Sequence, residues 1–126
     1  MLTEYPVHTT LPCEDRDRAK RFYADKLGLQ PVAEDEGAVT YEGPGGSRFI
    51  LFTSSGKASG QHTQIGWRVR NIEDEVRQLK ERGVQFEEYD FPAFDKSTSV
   101  ATTERSRSAW FKDSEGNLLG LVQLAE

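Results

Sequence analysis

Short stretches of alternating apolar and polar residues run along the chain, interrupted twice by stretches whose apolar residues recur at helical spacing. Residues 5–12 alternate loosely, as a strand would. Asp15 then caps a helix whose Ala19, Phe22, Tyr23 and Leu27 share one face, and Gly28 ends it. Residues 29–33 predict a short apolar strand. Residues 37–42 and 48–53 predict two more, joined by the turn Gly43-Pro44-Gly45-Gly46.

The polar tract 54–63 (SSGKASGQHT) reads as a linker, and after it the order returns. Residues 64–70 alternate as a strand, Asn71 caps a second helix with Ile72, Val76 and Leu79 on its buried stripe, and Gly83 ends it. Residues 84–89 predict the short strand again. Residues 108–112 and 118–124 form a closing hairpin around the turn-forming run DSEGN at 113–117. In that hairpin Phe111 should face Leu119, with Leu121 beside them, on the core side. Trp110 should face Gly120, with Leu118 and Val122, on the other side.

The repeat has a definite register: His8 to Gln64 and Asp15 to Asn71 are each offset by 56 residues, and Gly28 to Gly83 by 55. The chain therefore reads as a single domain over residues 1–126, made of two βαβββ modules at about 1–55 and 64–126, with the linker at about 54–63. The clear asymmetry is the segment 90–107, far longer than its counterpart in the first half. A segment of that length is expected to be a functional lid or partly disordered.

Composition narrows the function classes. A length of 126 residues suits one domain with a core of its own, and no apolar run approaches the ~20 residues of a membrane span. The N-terminus, with Glu4 and no basic region ahead of an apolar run, does not read as a signal peptide. The cytoplasm is the expected location. Cys13 is the only cysteine, so neither a disulfide framework nor a cysteine zinc cluster is expected, and nothing near it suggests thiolate activation. Sixteen basic against twenty-one acidic residues give a net charge of −5, which argues against nucleic acid as a partner.

Two βαβββ units, an Ala-x-x-Phe-Tyr-x-x-x-Leu-Gly-Leu stretch (Ala19, Phe22, Tyr23, Leu27-Gly28-Leu29) behind Asp15, and a closing Phe-x-Asp-x-x-Gly-Asn turn (Phe111, Asp113, Gly116, Asn117) resemble the vicinal oxygen chelate superfamily. That family includes glyoxalase I, extradiol dioxygenases, fosfomycin-resistance enzymes and bleomycin-binding proteins. The resemblance covers essentially the whole chain. It implies an α+β fold in which the modules form a U-shaped mixed sheet with helices on the convex face and a ligand, commonly with a divalent metal, on the concave face. It also implies a homodimer.

Carried onto this chain, the family's metal-ligand positions read His8, Ile50, Gln64 and Gly120. Isoleucine and glycine have no side-chain donor, so no metal ligand and no metal cofactor is assigned. His8 is left either as a polar residue lining a cavity or as a general base. Alternation puts His8, Arg48, Ile50, Phe52, Gln64, Arg68, Trp110 and Gly120 on the concave face, where they are the expected ligand-binding residues. Arg68 would either clamp a carboxylate or phosphate, or reach solvent at the rim or pair with an acid; His62 is expected at the surface, and it and Gln64 could share the inward face only if the strand began early. Trp67 should face the helices.

The expected function is metal-independent binding of a small organic ligand, of the glyoxalase/bleomycin-resistance type, against Trp110 and Phe52. The alternatives are a glyoxalase-like lyase or isomerase using His8, with or without a divalent metal, and an interaction module whose concave face is filled.

Overall fold

The structure, a computed structural model, describes residues 1–54 and 56–125; Ser55, inside the expected linker, and Glu126 lie outside the described residues. The first module runs β1 (Thr9–Cys13), α1 (Arg16–Leu27), β2 (Ala33–Glu34), β3 (Ala38–Glu42) and β4 (Arg48–Thr53). The second runs β5 (Thr63–Arg68), α2 (Ile72–Glu81), β6 (Phe94–Asp95), β7 (Val100–Thr102), β8 (Ser106–Lys112) and β9 (Leu118–Leu124). The fold is α+β with two mixed sheets, in the orders β1-β4-β3-β2 and β5-β9-β8-β7-β6.

Both helices begin and end where their capping residues dictate. The Asp15 carboxylate accepts from the Arg18 amide and the Asn71 amide oxygen from the Asp74 amide. Gly28 at φ +72° and Gly83 at φ +91° turn the chain out of the helices, a backbone conformation that suits glycine. No helix is long and apolar enough to cross a membrane.

The repeat register extends beyond the caps. Val32 N–H donates to Thr40 O and Glu87 N–H to Trp110 O, both at 2.8 Å, and these pairs are equivalent in the two modules. The strands expected at 29–33 and 84–89 are nonetheless much reduced. In the first module only Ala33–Glu34 pairs, and in the second only a single bridge joins Phe86 to Phe111. The expected first strand also starts late, at Thr9. Residues 5–8 are exposed, and Pro6 has no N–H to give a ladder.

The segment 90–107 is a folded extension of the second sheet. Phe94 pairs with Ala101, and Ala101 with Ser108, so β6 and β7 add two short strands outside β8 and bury Phe94, Val100 and Ala101. Strands of two or three residues carry too little alternation to be read from sequence.

One core joins the modules. Leu11, Cys13, Val39, Tyr41 and Leu51 of the first sheet and Ala109, Phe111, Leu119 and Leu121 of the second belong to one cluster with Ala19, Tyr23, Ile72 and Val76 of the helices. A polar clamp crosses the same boundary. Asp113 accepts from the Glu115 and Asn117 amides through Oδ1, and from Tyr23 O–H (2.7 Å) and Asn117 Nδ2 (2.8 Å) through Oδ2. Asn117 Nδ2 also donates to Pro12 O. Glu115 reaches the start of α1, accepting from the Glu14 and Asp15 amides and pairing with Arg18 at 2.8 Å. The closing turn thus fastens the second module to the first helix. Burial raises the Glu115 carboxyl, but Arg18, the Asp15 amide and the Ser114 hydroxyl outweigh it and hold it down at about 2.

Candidate functional site

The strand register fixes which side chains share the face away from the helices. In the second sheet Gly66 stands beside Gly120 and Gly120 beside Trp110, so the three form a row across β5, β9 and β8. The expected pairs Phe111/Leu119 and Trp110/Gly120 are both present, on opposite faces. In the first sheet the equivalent row is Thr10, Ile50 and Thr40 across β1, β4 and β3. Ile50 and Phe52 are half-buried there.

The row in the second sheet makes a trough. A Cβ added at Gly120 would stand 3.4 Å from Trp110 Cδ1 and 3.2 Å from Thr63 Cγ2, so this glycine leaves room for the indole and a methyl group. A Cβ at Gly66 would meet only the Gly120 backbone, and Gly66 is exposed. The trough therefore has a bare floor at Gly66 and an indole wall at Trp110. Tyr89 stands edge-on to that indole, ring centroids 5.4 Å apart, with Phe94 at 5.8 Å and Phe91 at 6.1 Å from Tyr89. Phe91 remains 41% exposed, so the aromatic cluster reaches the surface. Burial, with Glu87 nearby, raises the Tyr89 hydroxyl, which stays protonated at neutral pH.

Thr63, Tyr89, Phe91 and Phe94 join the site beyond the residues expected there. The aromatic density of Tyr89-Asp90-Phe91-Pro92-Ala93-Phe94 was the available signal for the last three. Thr63 comes beside Gly120 through a bulge, because the β5–β9 register shifts between Thr63 and Ile65 and leaves Gln64 as the inserted residue. No strand pattern announces such a shift. His62 is exposed ahead of β5.

The polar residues expected on this face are dispersed. His8 is exposed and precedes β1, and among the described residues no side-chain hydrogen bond reaches it or Gln64. Arg48 pairs across the strands with Glu42 at 3.3 Å. Arg68 is exposed near the end of the edge strand β5, and has no ion pair among the described residues. No group of three or more His, Cys, Asp or Glu residues is placed to hold a metal among the described residues. Ile50 offers no donor, and the space over Gly120 is taken by the indole and the Thr63 methyl. Together His8, Ile50, Gln64 and Gly120 bring one imidazole and one neutral amide oxygen as side-chain donors.

On the helix side, a groove of about 260 Å³ is lined by Leu27, Leu29, Trp67, Leu79, Glu75 and Arg68, among others. Trp67 is half-buried there, edge-on to Phe49 at 6.2 Å. Cys13 is buried, and its burial together with Glu115 raises the thiol away from thiolate chemistry.

The Glyoxalase/Bleomycin resistance protein/Dioxygenase superfamily model matches residues 6–121. No curated protein matches the sequence. Among solved structures, UcmS2 is 21% identical with a TM-score of 0.70, covering 91% of this chain and 94% of its own. TnmS3, an antibiotic binding protein from Streptomyces sp. CB03234, is 21% identical with a TM-score of 0.69, covering 96% and 98%. A glyoxalase/bleomycin resistance protein/dioxygenase from Alicyclobacillus acidocaldarius is 20% identical with a TM-score of 0.70, covering 97% and 92%. At these identities the likeness is one of fold.

Proposed function

The chain belongs to the glyoxalase/bleomycin resistance protein/dioxygenase superfamily, and from that premise we propose that it binds a small organic molecule on the open face of its second module without a metal ion. The observation that carries this reading is the trough itself, a bare glycine floor beside an indole backed by three further aromatic rings. A largely apolar concavity with few polar fixtures is the usual form of a small-molecule site. TnmS3, of the same fold, is an antibiotic binding protein, which supports sequestration of an organic compound as the task. Sequestration requires no catalytic residue.

The reading includes a homodimer. Ile50 and Phe52 on the first module and Trp110 on the second are only half-buried within one copy. Setting the first module of one copy over the second module of another would bury all three and enclose the ligand. Each copy would then complete the site of its partner.

Two measurements test the reading together. Elemental analysis follows incubation of the purified protein with zinc, nickel, manganese or iron(II) and desalting; tryptophan emission is then titrated with bleomycin and with 8-anilinonaphthalene-1-sulfonate. The expected result is no retained metal, and saturable binding of at least one probe that is lost in Trp110→Ala. A stoichiometric metal that disappears in His8→Ala would overturn the metal-free reading, and binding unaffected by Trp110→Ala would overturn the placement of the site.

A further inference from the structure

Among the described residues, the cations that the strands place on the open face are paired within the protein with one exception, and the exception points to a ligand class. Strand alternation places three cations there: Arg48, Arg68 and Lys112. Arg48 is paired with Glu42 at 3.3 Å, and Lys112 with Glu87 at 3.6 Å. Arg68 has neither an ion pair nor a side-chain hydrogen bond among the described residues, although the chain carries five more acidic than basic groups. Arg68 is two residues beyond Gly66 on β5, and Gly66 is joined through Gly120 to Trp110. Ordinary sheet spacings set the Cα atoms of Arg68 and Trp110 about 12 Å apart. A bicyclic aromatic ring and the length of an arginine side chain bridge that distance.

Resting on the reading that this face binds an organic ligand, we propose that the ligand is an aromatic carboxylate. Its ring lies along Trp110 over Gly66, and its carboxylate is held by Arg68. A guanidinium matches a carboxylate with two parallel N–H donors, and the pair gains from the apolar surroundings that the ring itself provides. The bare Gly66 floor lets the plane of the ring approach the sheet, which a side chain at that position would prevent. The helix-side groove, which Arg68 also borders, is the poorer place for an anion because Glu75 lines it too.

The test compares two probes of nearly one shape, 2-naphthoate and 2-naphthalenemethanol, by isothermal titration at pH 7 and low ionic strength. Wild type, Arg68→Gln, Arg68→Lys and Trp110→Ala are compared, with thermal melts as the folding control. Naphthoate is expected to bind wild type at least tenfold more tightly than the alcohol. Arg68→Gln should erase that preference while leaving the alcohol's affinity unchanged, and Arg68→Lys should restore part of it. Equal affinity for the two probes in wild type, or a preference that survives Arg68→Gln, would overturn the inference; if Trp110→Ala still weakened both probes, the binding reading would stand without it. Failure of both probes to bind wild type would overturn the inference together with the assignment of the site to small aromatic ligands.

Discussion

Across the middle of the first sheet run Thr10, Ile50 and Thr40, and across the middle of the second run Gly66, Gly120 and Trp110, at equivalent registers. The backbone is repeated and the side-chain volume is redistributed. Three β-branched residues make an even wall in the first module, because each fills its own station on the pleat. Two glycines and one tryptophan in the second gather the volume on β8 and clear β5 and β9. A duplicated scaffold thus yields one even surface and one whose volume is gathered to one side, and the proposed reading uses the first to cover a ligand and the second to seat it.

The two hairpin turns differ in the same spirit. Residues 43–47 are exposed throughout, whereas Asp113 and Asn117 are buried and Glu115, with its side chain 1% exposed, caps the other module's helix. One turn only reverses the chain; the other also joins the modules.

The largest effect expected from this contrast is at the clamp. Asp113→Ala takes the acceptor from the Tyr23 hydroxyl, from one of the two Asn117 side-chain N–H donors and from two backbone amides, all buried or partly buried, at a cost of about 3 kcal/mol. Ser47→Ala in the exposed turn should cost less than about 0.5 kcal/mol. Urea denaturation of the two variants compares the turns directly, and similar losses would erase the distinction.

Glu115 sharpens it through pH. Its carboxyl, ordinarily at 4.5, is held at about 2 in the folded protein. The stabilisation is therefore complete above pH 4.5 and is lost as pH falls toward 2, because the unfolded chain binds the proton first. Glu115→Gln should lower stability by about 2 kcal/mol at pH 7 and flatten the loss below pH 4.5. A wild-type profile that Glu115→Gln leaves unaltered would remove Glu115 from the clamp.

Within the second sheet the two glycines should separate. Gly120→Val forces the indole and the Thr63 methyl aside, costing about 1–2 kcal/mol and shifting Trp110 emission to the red. Gly66→Ala meets only a backbone carbonyl at 3.4 Å, so it should change stability by less than about 0.5 kcal/mol while weakening ligand binding. Equal stability losses would mean that the floor at Gly66 is not open.

Much of this was legible in the sequence because it depends on period and capping. Asp15, Asn71, Gly28 and Gly83 marked the helices, and the turn at 113–117 set the pairing of Trp110 with Gly120. What escaped depended on single residues departing from period. The bulge at Gln64 brings Thr63 to Gly120, and β6 and β7 are too short to alternate, so Phe91 and Phe94 lay in the segment expected to be a lid or partly disordered, and their meeting with Tyr89, at the end of the strand expected at 84–89, was hidden. The clamp of Tyr23, Asp113 and Asn117 was present as a motif, but its burial depends on the packing of the two modules together, which no local pattern carries.

The most direct test uses Trp67→Phe, in which Trp110 is the only tryptophan and reports the trough alone. This variant, treated with EDTA and desalted, is titrated with 2-naphthoate while tryptophan emission is recorded. Saturable quenching that zinc does not alter is the predicted result. Emission unmoved by the ligand, or moved only after a divalent metal is restored, would contradict a metal-free site at Trp110.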